Sequence, residues 1–186
     1  MIIVPIGSCC EITYKLEKLE NKNERSPFEW HFSFNFKDIL KVFNNISNCE
    51  EVSDPLSSLV FSSKQGLNVG IDDNDIYTSH YRDIDKYRVI MERRTRRMID
   101  NIKSNEKIVF IRQITDNGVS VFPTTEEVAE LKKYIFKINP SCNYSILFVV
   151  YTKGSVPIAE GAEYLMLEDK ENLELWNNKI NELSTL

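Results

Sequence analysis

The sequence predicts an α/β protein in which helices flank a mainly parallel sheet on both faces, forming a three-layer sandwich. Two observations support this prediction. The chain opens with a short apolar segment, a Gly-Ser turn and an amphipathic helix, as α/β folds commonly do. The second half then alternates strand, helix, strand, strand and helix. Such an order favours parallel strands joined by crossover connections.

The opening strand, turn and helix occupy residues 2–19. Residues 2–6 are apolar and read as a short buried strand, which Gly7-Ser8 interrupts. Ser8 and Glu11 have the spacing of a capping box, which predicts that a helix begins beside them. The apolar stripe of this helix consists of Ile12, Leu16 and Leu19.

Periodic apolar positions predict the later elements. A short helix is expected around residues 36–43, and a long helix runs from about Asp83 to Lys103. Strands are predicted at residues 107–111, 144–151 and 163–167, and further helices begin at Thr124 and Asp169. Periodicity is weak over residues 44–75, where 60–61 and 67–71 are the best strand candidates. We therefore expect one domain over residues 1–186, with an irregular insertion around residues 44–80.

Composition narrows the classes of function. Of the 186 residues, 42% are hydrophobic and 27% are charged, which rules out wholesale disorder. The formal net charge of −5 argues against a nucleic-acid partner. No apolar run approaches the roughly 20 residues of a membrane-spanning helix, and no secretory signal precedes the first strand. We therefore expect a cytoplasmic protein without a membrane partner.

The sequence also lacks the patterns of metal and cofactor sites. Two histidines and scattered carboxylates form no metal-ligand motif. None of the six glycines stands in a phosphate-binding loop. We expect neither a metal nor a cofactor, and the predicted partner is a small-molecule or peptide substrate.

The first helix begins beside two cysteines, Cys9 and Cys10. Sites in open α/β sheets lie beyond the carboxyl ends of the strands, which is where this turn is predicted. Free N–H groups and the helix dipole favour a thiolate in a first helical turn. At about 100° per residue, Cys9 falls beside the apolar stripe and Cys10 roughly 150° from its centre. Cys10 is the better candidate nucleophile, although both thiols are also small enough to be packing residues.

A thiol nucleophile needs a base, and His31 and His80 are the two histidines. His31 lies in an aromatic cluster. His80 precedes the long helix and is followed by Asp83 and Asp85, carboxylates of the kind that orient an imidazole. Either histidine can approach Cys10 only through the fold.

Several segments together resemble a bacterial and viral family described as papain-like cysteine peptidases. The family pattern is roughly G-S-x-C, PFDW, a later H-D-F, RR and F-V-R. The corresponding segments are, in order, Ile6-Gly7-Ser8-Cys9-Cys10-Glu11, Pro27-Phe28-Glu29-Trp30, His80, Arg93-Arg94 and Val109-Phe110-Ile111-Arg112. The resemblance covers about the first 112 residues.

The resemblance implies roles for individual residues. It assigns the nucleophile to Cys10, the histidine to His80 and the family arginines to Arg94 and Arg112. Two positions depart from the pattern, because Glu29 and Tyr81 stand where the family has aspartates. The family name also implies a papain-like fold, with the histidine on an antiparallel sheet. The predicted strand before the cysteine helix instead favours a parallel-sheet topology of the flavodoxin or esterase kind.

The first hypothesis is therefore a cysteine-dependent hydrolase or acyl-transferase. Cys10 attacks a carbonyl group and His80 accepts the thiol proton, while backbone N–H groups near Gly7 and Cys10 stabilise the oxyanion. Asp83, Asp85 or Glu29 orients His80. The substrate is a peptide, an isopeptide, an ester or a thioester.

Two other classes of function stay open. A binding module would hold an anionic nucleotide, sugar phosphate or glycan at the first helix N-terminus, near Gly7 and Ser8, with Arg94 and Arg112 as guanidinium ligands. An interaction domain would instead use aromatic residues that alternate along one segment and share a face if it is extended. These are Phe28, Trp30, Phe32, Phe34 and Phe36.

Overall fold

A computed structural model gives the fold over most of the chain. It describes residues 1–7, 10–18, 26–29, 31–33, 35–48, 61–64, 68–71, 76–78, 83–115, 121–152, 154–169 and 172–185. The strands are β1 (Ile2–Pro5), β2 (Phe32–Ser33), β3 (Phe61–Lys64), β4 (Asn68–Ile71), β5 (Ile76–Thr78), β6 (Ile108–Thr115), β7 (Tyr144–Tyr151) and β8 (Glu163–Leu167). The helices are α1 (Cys10–Lys18), α2 (Phe36–Asn48), α3 (Ile84–Lys103), α4 (Thr125–Ile138) and α5 (Leu173–Thr185).

The main sheet has the strand order β1-β6-β7-β8, and every neighbouring pair is parallel. Side chains alternate between its faces, as the period of a strand requires. One face packs on α2, α3 and α4, and the other packs on α1 and α5. The structure therefore confirms the predicted three-layer α/β fold.

Strand β7 shows why the sheet is buried on both faces. Ile146, Phe148 and Val150 belong to one core, whereas Leu147 and Val149 belong to the other. A continuous apolar run of this kind is typical of a parallel strand covered by helices on both sides. Trp176 of α5 is fully buried in the core that α1 and α5 form with the sheet.

A second, antiparallel sheet has the order β2-β5-β4-β3. Three of its strands, together with the end of α2, lie in residues 44–80, where the sequence predicts an irregular insertion. The strands contain two to four residues each, which is too short for alternation to be recognised. Pairing between strands, rather than a local pattern, defines this sheet.

Candidate active site

The carboxyl end of β1 leads into Gly7, and α1 begins at Cys10. Gly7 has a φ of +80°, a conformation that favours glycine. A Cβ atom there would clash with Ser33 Oγ and would lie 3.2 Å from an Arg112 nitrogen. The chain entering the cysteine helix is therefore packed tightly between β2 and β6, and both the conformation and the space require glycine.

Arg112 joins three strands at this point. Its side chain is fully buried on the α2 side of the sheet. The guanidinium donates hydrogen bonds to Ile6 O at 3.1 Å, to Ser33 Oγ at 3.0 Å and to Ser33 O at 2.8 Å. It also lies over the ring of Phe36, 5.6 Å from the centroid. A charged donor with carbonyl acceptors forms stronger hydrogen bonds than a neutral one, so Arg112 fixes β2 against the ends of β1 and β6.

Residues 26–29, which include the first three residues of the PFEW segment (27–30), cover the same end of β1. Ser26 Oγ donates to Pro5 O at 2.6 Å and accepts from the Phe28 N–H at 3.3 Å. The Glu29 N–H donates to Ser26 O at 3.3 Å. Phe28 stacks on Phe43 of α2 with a centroid distance of 5.7 Å. Residues 26–29 therefore form a turn that connects the end of β1 to the helical layer.

Glu29 and Arg94 form a buried ion pair. Glu29 Oε2 lies 3.4 Å from an Arg94 terminal nitrogen, and the two side chains are 1% and 5% exposed. Because so little water reaches either group, the Arg94 charge depends on Glu29 for compensation among the residues that the structure describes. The pair attaches the PFEW turn to α3.

His31 adds a second connection to α3. The side chain is fully buried; Nδ1 lies 2.7 Å from Glu29 O, and Nε2 lies 2.7 Å from Tyr87 OH. A carbonyl oxygen can only accept, so Nδ1 donates to Glu29 O, and Nε2 forms a second hydrogen bond with the Tyr87 hydroxyl. Both ring nitrogens of His31 are therefore engaged inside the protein.

The structure places some of the predicted site residues and not others. Cys10 is the first residue of α1, whereas Ser8 and His80 lie outside the described residues. In the chain, His80 falls between β5 and α3. Asp83 is the exposed N-cap of α3 and accepts hydrogen bonds from the Asp85 and Lys86 N–H groups, both at 3.1 Å. The Lys86 N–H holds the pKa of the Asp83 carboxyl below its ordinary value.

The structure brings four of the predicted residues into one region. Arg112 lies beside Gly7, and Arg94 pairs with Glu29. The turn that contains Glu29 is in turn bonded to the end of β1 through Ser26. Sequence reasoning missed Ser33, Tyr87 and Gln113 in this region. Gln113 is fully buried and donates through Nε2 to Glu11 Oε2 at 2.7 Å. It was missed because the apolar run predicts a strand ending near Arg112, whereas β6 continues to Thr115.

Three other arginines of α3 lie on a different surface. Arg93, Arg96 and Arg97 line a groove of about 890 Å³ along the exposed face of the helix. Arg96 forms an ion pair with Glu92 at 2.6 Å, one turn away on the same helix. Such i,i+4 pairs are common on solvated helix faces.

Two members of the alternating aromatic segment belong to the core. Phe28 and Phe36 are 1% and 2% exposed, and Trp30 and Phe34 lie outside the described residues. Among the described residues, no group of three or more His, Cys, Asp and Glu side chains is placed to hold a metal ion. None of the described helices is long and apolar enough to cross a membrane.

Fold and site together define an α/β protein with a cysteine at the start of the helix that follows its first parallel strand. Residues 1–154 match the model of a family described as "putative papain-like cysteine peptidase". The match covers most of the chain, so the protein belongs to this family, and the resemblance found in its motifs is confirmed. No curated protein and no solved structure matches the chain.

Arg112→Met is expected to destabilise the fold by at least about 2 kcal/mol. Methionine retains much of the side-chain volume but leaves the buried carbonyls of Ile6 and Ser33 without their donor, at about 1–3 kcal/mol for each group. Urea unfolding measures the change. Arg93→Met is the control, because Arg93 is exposed on α3 and should change stability by no more than about 0.5 kcal/mol. Equal effects of the two substitutions would contradict the role assigned to Arg112.

Glu29→Gln is expected to cost roughly 3 kcal/mol, because it leaves the Arg94 charge buried without compensation. Adding Arg94→Met to Glu29→Gln should recover part of this loss. The free energies of unfolding of both single variants and the double variant form a double-mutant cycle. Simple additivity of the two single effects would show that the pair is not coupled.

Proposed function

We propose that this protein is a cysteine-dependent hydrolase in which Cys10 is the nucleophile and His80 is the general base. The observation that carries the proposal is the position of Cys10, at the start of α1 and beyond the carboxyl end of β1. Backbone N–H groups and the positive end of the helix dipole favour a thiolate at such a position. Membership of a family described as cysteine peptidases supports the same chemistry.

Two further observations support His80 as the base. His31 is excluded because both its ring nitrogens are engaged in the interior. In addition, β5 ends two residues before His80, and its residue Ile76 pairs with Ser33, which lies against Gly7. The four-residue step from Ile76 limits the reach of the chain to about 14 Å. Strand β5, which precedes His80 in the chain, therefore begins beside the turn that leads to Cys10.

The proposed reaction proceeds through a thioester. His80 accepts the Cys10 proton, and the thiolate forms a C–S bond with the substrate carbonyl carbon while the carbonyl electrons move to oxygen. Backbone N–H groups at the start of α1 stabilise this oxyanion. The intermediate collapses and expels the amine, alcohol or thiol, which takes the proton from His80. Water, deprotonated by His80, then releases the carboxylic acid and restores the thiol.

The substrate class is an acyl compound: a peptide, an isopeptide, an ester or a thioester. Acyl transfer follows the same path when another nucleophile replaces water. Hydrolysis takes precedence over an anion-binding module because the Arg94 and Arg112 guanidinium groups contact the protein itself, at Glu29, Ile6 and Ser33. An anion at the start of α1 would have to compete with these contacts to use either arginine.

Cys10 is expected to be alkylated by iodoacetamide at pH 7 at least about tenfold faster than Cys142, because it is expected to carry more thiolate. Cys142 is an internal reference, since burial raises the pKa of its thiol. Mass spectrometry assigns each modified residue. Cys9→Ala and Cys10→Ala form a matched pair: the first should retain the fast reaction and the second should abolish it. A fast reaction that survives Cys10→Ala would contradict the proposal.

His80→Ala is expected to lower hydrolysis of an activated ester or a fluorogenic peptide by roughly 10²–10⁴-fold, the usual contribution of a general base. It should also slow alkylation of Cys10 at neutral pH, because the imidazole no longer accepts the thiol proton. Circular dichroism verifies that the variant is folded. Unchanged turnover in a folded His80→Ala protein would remove His80 from the mechanism.

A further inference from the structure

The end of β6 contacts both sides of the chain that carries Cys10. Consecutive residues of a strand point to opposite faces of a sheet. On the α2 side, Arg112 donates to Ile6 O at 3.1 Å. On the α1 side, Gln113 Nε2 donates to Glu11 Oε2 at 2.7 Å. One contact precedes Cys10 in the chain and the other follows it directly.

The contact between Gln113 and Glu11 has the properties of a specific interaction. It joins residues 102 positions apart in the chain, and Gln113 is fully buried. An amide that donates to a carboxylate forms a charge-assisted hydrogen bond, stronger than one between neutral groups. The contact therefore ties the first turn of α1 to the carboxyl end of the central sheet.

Gln113 is not the residue that stability alone would favour. Its Oε1 atom is buried and has no hydrogen-bond partner in the part of the chain that the structure describes. A buried acceptor without a partner costs free energy that an apolar side chain of similar size would not cost. The hydrogen bond from its amide nitrogen to Glu11 is therefore the contact that favours a glutamine at this position.

We propose that Gln113 is a positioning residue for Cys10, acting through Glu11; this inference rests on the proposed function. Cys10 and Glu11 are adjacent and lie about 100° apart around the helix axis. Holding Glu11 against β6 therefore fixes the rotation of the first turn and the direction of its N–H groups. These groups stabilise a thiolate or an oxyanion only while that turn is formed and correctly oriented.

Exchanging the amide and the carboxylate tests the inference. Gln113→Glu brings two carboxylates together, so repulsion should displace the first turn and slow Cys10 alkylation at pH 7 about tenfold. The double variant Glu11→Gln/Gln113→Glu again pairs one amide with one carboxylate. Its alkylation rate should return to within about threefold of wild type, a recovery that only direct coupling of the two side chains produces.

Two further variants serve as controls. Asn178→Asp adds one negative charge at an exposed position of α5 and should leave the alkylation rate unchanged. Gln113→Leu removes the anchor from the sheet side without burying a charge, and it should slow alkylation in the same direction as Gln113→Glu. Gln113→Leu also decides the question if Gln113→Glu does not fold.

Amide hydrogen exchange over residues 14–17, whose N–H groups bond to the carbonyls of the first turn, separates this inference from the proposed function. Exchange should be faster in Gln113→Glu than in wild type and should recover in the double variant. If wild-type Cys10 reacts no faster than Cys142, the proposed function fails, and the exchange data alone decide whether Gln113 holds the turn. If Cys10 is reactive but the double variant stays as slow as Gln113→Glu, or exchange is unaffected, the positioning role is wrong.

Discussion

The burial of Arg112 is the constraint on which the other contacts around the cysteine helix depend. A guanidinium cannot lose its charge in a protein, so it must find acceptors where it is buried. Here the acceptors are carbonyl oxygens of Ile6 and Ser33. Both lie at the ends of strands: Ile6 follows β1, and Ser33 is in β2 at the edge of the antiparallel sheet. Satisfying one charge therefore sets the relative position of the two sheets and leaves only a glycine-sized space at Gly7.

The same principle extends to α3. Two residues in and beside the PFEW turn contact the buried face of that helix. Glu29 forms an ion pair with Arg94, and His31 forms a hydrogen bond with Tyr87. The partners are seven residues apart, which is the spacing of one helix face. Polar groups that must be satisfied in the interior accept few alternative arrangements. Several segments of the family pattern thus build the frame around the cysteine helix through their contacts with one another.

The sequence predicts the parts of the fold that local patterns define. Strands β1 and β7 are continuous apolar runs and helices α1 and α3 have helical periodicity, and the structure has each of them. The antiparallel sheet could not be predicted in the same way, because its strands contain only two to four residues each. The burial of Arg94 and Arg112 could not be predicted either. The sequence around an arginine does not show whether its charge faces solvent or a buried acceptor. Gln113 lies beyond the predicted end of its strand, so the sequence pattern does not indicate that it is buried.

The buried guanidinium also bears on the thiol chemistry. An Arg112 nitrogen lies 3.2 Å from where a Cβ atom of Gly7 would be, and two residues separate Gly7 from Cys10. Chain reach therefore keeps the positive charge within about 15 Å of the Cys10 backbone. In the proposed mechanism, a positive charge on this side of the turn favours the thiolate, because opposite charges attract. Because Arg112 is buried, salt screens this interaction less than it would screen a surface charge. Arg112, whose contacts hold the strands together, thus adds to the positive electrostatic potential that the N-terminus of α1 supplies. The same charge that stabilises the fold around the cysteine helix therefore also supports the proposed chemistry.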